Sequence, residues 1–591
     1  MRIGAAALAA ALLAGTAASA HAESTREYFT ARIAHSAAPA QLGDADRTFY
    51  KNLFAAIDAQ DWTEVQTMLA QKPDGLLTPI ATAEYYTAAN SPKVSLDQIN
   101  AWMAKGSNLP EAAQLGRLAL SRGATTMPDL PVEQPFYARG GEPRRVRPAS
   151  VADGTMPDGV RQAILDRIAN DDPDGARAQL DSVDSVLSPA ARAEWRERVA
   201  WSYYIENQDP QALAIAQTVS DGSGAWVAEG YWTAGLASWR MGDCASAGSA
   251  FEQSGGKAQN LELRSAAYYW ASRAALRCRH PERSVDLLRW AAAAPQTLYG
   301  MLASEQLDKR LPDLVDSADF TDSDWRRLQG SDNVRIAIAL DEIGRDQLAS
   351  EVLIHQAKIA DPKDFGPLSR LARDLGLPQT QLYMAYNAPQ GAAADPASRY
   401  PTPKWAPTGG WQVDPALAYA HTLQESAFRG TAVSPADARG LMQITPITVR
   451  EFAPRLGLSA RDVNIFDPAT NLAFGQQNLQ MLRDSPATRG ELPKIMAAYN
   501  AGLQPVTRWN TQVNDQGDPL LYMESLPYWE TRTYVASVMR NYWMYERQAK
   551  APSSSREALA QNAWPMFPSA SQDNDGRVYL SAENTVASAD N

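Results

Sequence analysis

From about Asp44 to Ala388 this chain repeats Ala, Leu, Trp and Tyr three and four residues apart, with little of the every-second-residue alternation that a half-buried strand needs. A pattern of that length permits helices packed on helices and little else. At 591 residues the chain is also too long for one core, so two to four domains are expected. Leu53, Ile57, Val65 and Leu69 mark a helical pair broken at Asp58-Ala59-Gln60-Asp61. Gly230 to Phe251 reads as helix, Met-Gly-Asp turn, helix, and Ser265 to Ala291 repeats that plan with His280-Pro281 at the turn. Stacked helical hairpins, each burying its face on its neighbours, are therefore expected over residues 23–388. Between Met127 and Gly159, Pro, Gly and Arg predict a long mobile loop. A shift to Pro, Gly, Ala and Asp places a linker at 389–410, followed by a second helical domain at 411–548. Residues 549–591 lack periodicity and are expected to be disordered, with Trp564 to Phe567 as a small docking patch.

The N-terminus reads Met1-Arg2, then a small-apolar run to Gly15, then Ala-x-Ala sites at Ala18-Ser19-Ala20 and Ala20-His21-Ala22. That is the pattern of a secretory signal peptide over residues 1–22. No Cys sits at the cleavage site to anchor a lipid, and no later window is long and apolar enough to cross a bilayer. A soluble exported protein is the expectation. A net charge of −12 and a pI near 5.1 argue against a nucleic-acid partner. The one basic cluster, Arg144-Arg145-x-Arg147, lies in the Pro- and Gly-rich loop and is read as solvated. Cys244 and Cys278 fit either a disulfide in an oxidising compartment or two buried thiols, and both stay open. No His/Cys/Asp cluster has metal-ligand spacing, so neither a metal nor another cofactor is expected.

The chemistry concentrates between Leu423 and Gln443, which reads LQESAFRGTAVSPADARGLMQ. Asp414 to Ala427 has helical spacing, with Ala416, Leu417, Ala420, Leu423 and Ala427 on one face. Glu425 then stands where that helix opens into a loop. Apolar cover and the negative end of the helix dipole both raise a carboxyl pKa there, as a general acid needs.

This segment resembles the soluble lytic transglycosylases of bacterial cell-wall metabolism, and the match is to four motifs in order. They are Glu425-Ser426; Ser434 to Gln443, with Asp437 where the family commonly has Gly; Ala498-Tyr499-Asn500-Ala501-Gly502; and Pro527, Glu530, Thr531, Arg532, Tyr534 and Val535. Asp tolerates left-handed backbone, so the turn can survive that exchange. Thr297-Leu298-Tyr299-Gly300 with Leu302-Ala303 matches a phrase at the end of the same family's N-terminal superhelix, although a generic helical-repeat scaffold would also fit that region. The resemblance implies a mainly all-α chain, with a curved or ring-like superhelix before a lysozyme-like catalytic domain. It implies a periplasmic enzyme acting on peptidoglycan glycan strands. Protein partners from cell-wall or secretion complexes stay open.

The implied reaction needs one carboxyl. Glu425 protonates the oxygen between N-acetylmuramic acid and N-acetylglucosamine, then as a base frees the muramic 6-hydroxyl to close a 1,6-anhydro ring. The substrate's acetamido oxygen assists, an exception to the usual two-carboxylate rule. By matching position, Ser434 holds the acetamido group, Met442 covers the acid, and Gln443 binds neighbouring sugar. Tyr499 orients the acetamido group or belongs to the core, and Asn500 brackets the loop. Glu530 lies in the groove floor or pairs with Arg532. Tyr522, Tyr528 and Trp529 stack on sugar faces or pack inside. Two rival functions remain: a lysozyme-like hydrolase with Asp437 as its second carboxylate, and an inactive periplasmic scaffold.

Overall fold

The structure, a computed structural model, describes residues 24–34, 36–311 and 319–568. The expected signal peptide, residues 1–22, lies outside them. The architecture is almost entirely helical; among the described residues the one sheet is a two-residue pairing of Tyr137-Ala138 with Asn387-Ala388. The expected helical hairpins are present. Asp44–Asp58 is followed by Trp62–Gln71, Trp226–Arg240 by Cys244–Lys257, and Leu261–Arg277 by Pro281–Ala292. Each successive helix packs on the one before it. Cys244 and Cys278 form a disulfide across two adjacent hairpins, which resolves the alternative left open above.

Two cores hold the molecule. Helices between Leu42 and Ala119 share one with helices between Phe320 and Ala388, so the helical region folds back on itself. Glu342 seals that closure by accepting the backbone N–H groups of Gln41 and Leu42 and pairing with Arg47 at 3.0 Å. The second core runs from Met156 to Leu302 and continues into the domain beyond residue 411. The Tyr299 hydroxyl donates to Glu524 at 2.7 Å, Tyr204 bonds Ser525, and Arg273 pairs with Asp518 across the junction. The N-terminal helix Thr25–Ala34 also belongs to this second unit. Thr25 bonds Asp414, and the Phe29 ring meets Tyr419 edge-on at 5.2 Å.

Four expectations need correction. The 127–159 stretch is irregular but tied down as a strap. Arg139 donates to the carbonyls of Pro389 and Ala392, and Glu142 accepts from Arg399 and Tyr400. Further along, Glu194 accepts from Ser150 and the Val151 N–H. The basic cluster within the strap is not simply solvated, because Arg145 pairs with buried Glu229 at 2.6 Å. The 389–410 segment is packed rather than loose, with Tyr400 buried and its carbonyl accepting from Gln548.

The tail is ordered as far as residue 568. Ser554–Ala560 is a helix, and Trp564 is buried against Tyr522 with its indole N–H on the Gly517 carbonyl. The supposed docking patch is thus filled by the chain itself. Composition misled here because one large aromatic can fix a polar segment. Residues 569–591 lie outside the described residues. Trp564→Ala empties that socket and is expected to cost about 3 kcal/mol, measured by urea unfolding.

Candidate active site

Asp414 caps the helix Pro415–Ser426: its carboxylate accepts the Ala416 N–H, the Thr25 hydroxyl and the Tyr542 hydroxyl. Ala416, Leu417 and Ala420 are fully buried, while Leu423 is half-buried and Ala427 exposed. The helix ends abruptly because Ala427 (φ 50°) and Phe428 (φ 60°) are both left-handed. Phe428 is buried and Ser426 donates to the Leu441 carbonyl, so packing holds that turn despite its backbone cost. Glu425 is left at the last turn, half-buried.

Its Oε1 accepts the Tyr534 hydroxyl at 2.5 Å. Loss of water raises the Glu425 pKa to about 7; the Tyr534 bond opposes this, and the charge of Glu530 adds to it. Tyr534 in turn lies 2.9 Å from Nδ1 of His421, which is fully buried and kept neutral, its pKa lowered to about 3 by burial. A neutral imidazole has one N–H. Placing it on Nδ1 lets His421 donate to Tyr534 and Tyr534 donate to Glu425, and leaves Nε2 as an unpaired acceptor. The other tautomer would orphan an N–H and turn Tyr534 away from Glu425, a costlier arrangement. The chain of donors therefore ends on Oε1 and leaves Oε2 to carry the proton.

The Ser434 to Gln443 turn is braced from within. Asp437 does adopt the left-handed backbone (φ 59°), and its carboxylate pairs with Arg439 at 2.8 Å on the exposed surface. Ser434 accepts the Ala438 N–H. Gly440 (φ 75°) lies so close to Asn471 that a Cβ would fall 2.2 Å from its amide nitrogen. Asn471 accepts the Met442 N–H and donates to the carbonyls of Arg439 and Ile465. Met442 is fully buried, its sulfur where a Cβ on Gly475 would be. The Gln443 amide donates to the Gly440 carbonyl at 2.9 Å. Met442 and Gln443, expected to meet the acid and the sugar, also shape the turn.

Tyr499 spans the site, with its hydroxyl on the Met442 carbonyl at 2.8 Å and its ring 4.5 Å from that of His421. Asn500 accepts the Thr531 hydroxyl at 2.6 Å and so joins the helices Leu492–Ala501 and Trp529–Gln548. Glu530 is exposed and makes no ion pair with Arg532 among the described residues. Its link to the site is the field that Glu425 feels. Tyr522 is core and Tyr528 is half exposed, edge-on to Trp509. Three contributors were missed. Tyr534 stood within a quoted motif, His421 interrupts an apolar helix face, and Asn471 is a buried polar residue in the helix Pro468–Asp484.

One hollow adjoins the end of this helix, and a second lies at the start of the helix Trp529–Gln548. One, of about 1540 Å³, has Trp405, Leu423, Gln424, Ala427 and Phe466 in its walls. The other, of about 600 Å³, has Asn500 and Glu530 in its walls. Among the described residues no group of His, Cys, Asp and Glu could hold a metal, and no helix is long and apolar enough to cross a membrane.

A raised carboxyl pKa destabilises the fold wherever the unfolded chain would already be ionised. Between the ordinary value near 4.5 and about 7 the native state holds the extra proton, so stability falls as pH rises through that window. Glu425→Gln removes the penalty. It is expected to stabilise the protein by about 3 kcal/mol at pH 8, with the gain vanishing by pH 4, measured by urea unfolding at both pH values.

Residues 406–521 match the family model described as the transglycosylase SLT domain. Over 134 residues the chain is 32% identical to the soluble lytic murein transglycosylase of Escherichia coli K12, covering 22% of this chain and 20% of that protein. The Salmonella typhimurium LT2 protein of the same name is 31% identical over 134 residues, with 22% and 20% covered. The match thus spans about a fifth of the length of these relatives. In fold, the chain is similar to an inactive mutant of the lytic transglycosylase Slt of Pseudomonas aeruginosa, with TM-score 0.51, 19% identity, and 86% of this chain and 87% of that one covered. It is similar also to the 70 kDa soluble lytic transglycosylase of Escherichia coli, with TM-score 0.51, 15% identity, and 89% and 100% covered. Residues 406–521 carry the transglycosylase SLT domain, and the resemblance to soluble lytic transglycosylases holds in sequence over that stretch and in fold over most of the chain.

Proposed function

We propose that the chain is a murein lytic transglycosylase, cleaving the β-1,4 bond between N-acetylmuramic acid and N-acetylglucosamine without water. The observation that carries this is Glu425 in its setting: within the SLT-matching stretch, at a helix end, bonded to Tyr534, its pKa raised to about 7, and next to Leu423, Gln424 and Ala427 in the wall of a groove large enough for a glycan strand. In the acid step Oε2–H of Glu425 protonates the glycosidic oxygen as the C1–O bond breaks, and the substrate's acetamido oxygen bonds to C1. Glu425, now ionised, takes the proton of the muramic 6-hydroxyl. The freed oxygen displaces the acetamido group from C1, giving the 1,6-anhydro end. Tyr534, oriented by His421, keeps Oε1 occupied throughout, so both proton transfers use the same oxygen.

Ser434 spends its oxygen on the Ala438 N–H and keeps its own hydrogen for the acetamido carbonyl. Tyr499 and Asn500 fix the turn and the far wall, Met442 and Gln443 shape the turn, and Glu530 supplies the negative charge that helps Glu425 hold its proton. Residues 1–22 as a signal peptide and the Cys244–Cys278 disulfide both support an exported, periplasmic setting. What weighs against the hydrolase alternative is that Asp437 is exposed and pairs with Arg439 at 2.8 Å.

Purified protein digesting isolated sacculi is expected to release anhydro-muropeptides, read by mass spectrometry, and Glu425→Gln none. Reducing muramic ends would make it a hydrolase and turn attention to Glu530. The rate should fall as pH rises through about 7, where the acid ionises. Tyr534→Phe removes the donor that lowers the Glu425 pKa, so this limb should move to higher pH while the rate drops roughly 10- to 100-fold. His421→Phe should act in the same direction more weakly, and His421→Asn, which keeps a donor near Nδ1, should recover most of the loss.

A further inference from the structure

The helix that carries the acid, Pro415–Ser426, is bonded to the helix Trp529–Gln548 at both of its ends, each time by a tyrosine hydroxyl on a carboxylate. At one end Tyr534 donates to Glu425 at 2.5 Å, and at the other Tyr542 donates to Oδ2 of Asp414 at 2.8 Å. Asp414 and Glu425 are eleven residues apart, about three helical turns, so they fall on one face. Tyr534 and Tyr542 are eight apart, roughly two turns, and face the same way. The two helices therefore run antiparallel, with a polar bond at each end of their contact.

Apolar packing sets the register of this pair only loosely. Ala416, Ala418 and Ala420 give the acid's helix a shallow buried surface, and apolar contact has no preferred direction. A hydrogen bond does have one, and it weakens steeply as its geometry is lost. Tyr542 is buried, Asp414 is half-buried, and neither lines the groove. Asp414 is braced from its other side by the Thr25 hydroxyl, which donates to Oδ1 at 2.7 Å, and by the Ala416 N–H. The charged groups that act on it are Arg26, on the N-terminal helix, and Glu546, one turn beyond Tyr542. Burial keeps Glu546 protonated up to about pH 8, so it adds no second negative charge there.

We propose that Asp414 and Tyr542 are positioning residues for the acid: their bond, with Thr25 behind it, sets the register of the two helices and so the reach of Tyr534 to Glu425. The inference rests on the proposed murein-cleaving activity. A slip of about 1 Å between the helices takes the Tyr534–Glu425 contact toward the limit of a hydrogen bond, and misplacements of that size slow catalysis. Glu425 then keeps its cover but loses the donor that opposes its raised pKa. The other titratable groups that face it, Glu530 and Tyr499, and neutral His421 behind Tyr534, supply no such donor to it.

Tyr542→Phe separates register from capping, because it keeps the ring in the core and leaves the Thr25 and Ala416 bonds on Asp414. Release of anhydro ends from soluble glycan strands is followed across pH by mass spectrometry, with melting temperature as the check on folding. Tyr542→Phe is expected to lower kcat about fivefold with KM little changed, and to move the limb near pH 7 upward as Tyr534→Phe does. Added to Tyr534→Phe, it should change neither, since the bond it registers is already gone. Asp414→Ala, which loses the cap as well, should fall further, and Asp414→Asn, which caps and still accepts from Tyr542, should recover most of that loss. A folded Tyr542→Phe with the parent's kcat and pH limb, or effects that multiply in the double variant, overturns the inference and leaves the activity standing. No anhydro ends from the parent overturns the activity itself. The register is then read from the stability gained on Glu425→Gln at pH 8. A larger gain in Tyr542→Phe than in the parent upholds it, and an equal gain overturns it.

Discussion

The structure turns on withdrawing one carboxyl from water at the end of its helix without burying it fully. Glu425 meets that requirement because its helix is stopped one residue later by two left-handed residues, Ala427 and Phe428. A helix running a turn further would screen the carboxyl, and one ending a turn earlier would leave it in solvent. The strain in that double turn is borne by the burial of Phe428 and by the Ser426 bond to the Leu441 carbonyl. The left-handed backbone at Asp437, the Gly440–Asn471 contact and the Tyr499 bond to Met442 then hold the following turn against the same helix. Local distortion and long-range support are one arrangement.

The rest of the chain supplies the surroundings this carboxyl depends on. Tyr534 comes from the helix Trp529–Gln548, whose opposite end is bonded through Gln548 to the carbonyls of Ala397 and Tyr400. That helix is also where Arg540 meets the strap, at the Pro143 carbonyl. The Glu524–Tyr299 and Asp518–Arg273 contacts tie the neighbouring segment to the stacked hairpins. Shifting the hairpins would thus move the groove wall as well as the support beneath it.

Much of this was visible in the residues. The hairpin turns at Met241-Gly242-Asp243 and His280-Pro281 fall where periodicity put them, since a turn interrupts spacing wherever it occurs. The acid, its helix and the left-handed Asp437 were also readable, because local backbone chemistry sets them. What stayed hidden was pairing across distance. Nothing near Tyr534 marks Glu425 as its partner 109 residues away, and nothing in the Pro- and Arg-rich strap announces Glu229, Glu194 or the carbonyls past Tyr386. Polar loops look mobile in sequence because their partners are not in the window. Met442 and Gln443 are a further case: matching position gave no sign of the Asn471 bond to the Met442 N–H or of the Gln443 bond to the Gly440 carbonyl.

The bond between Thr25 and Asp414 links residues 389 apart along the chain. Asp414 caps the helix that ends in Glu425, so the first described helix helps to start the one that carries the acid. Loop closure over such a span is entropically slow to occur, and contacts of this kind form after local hairpins have already packed. A chain emerging from its N-terminus can complete its helical hairpins well before this cap has both partners. The helix that carries the acid is therefore expected to gain this one of its cap's bonds late, after the hairpins have packed.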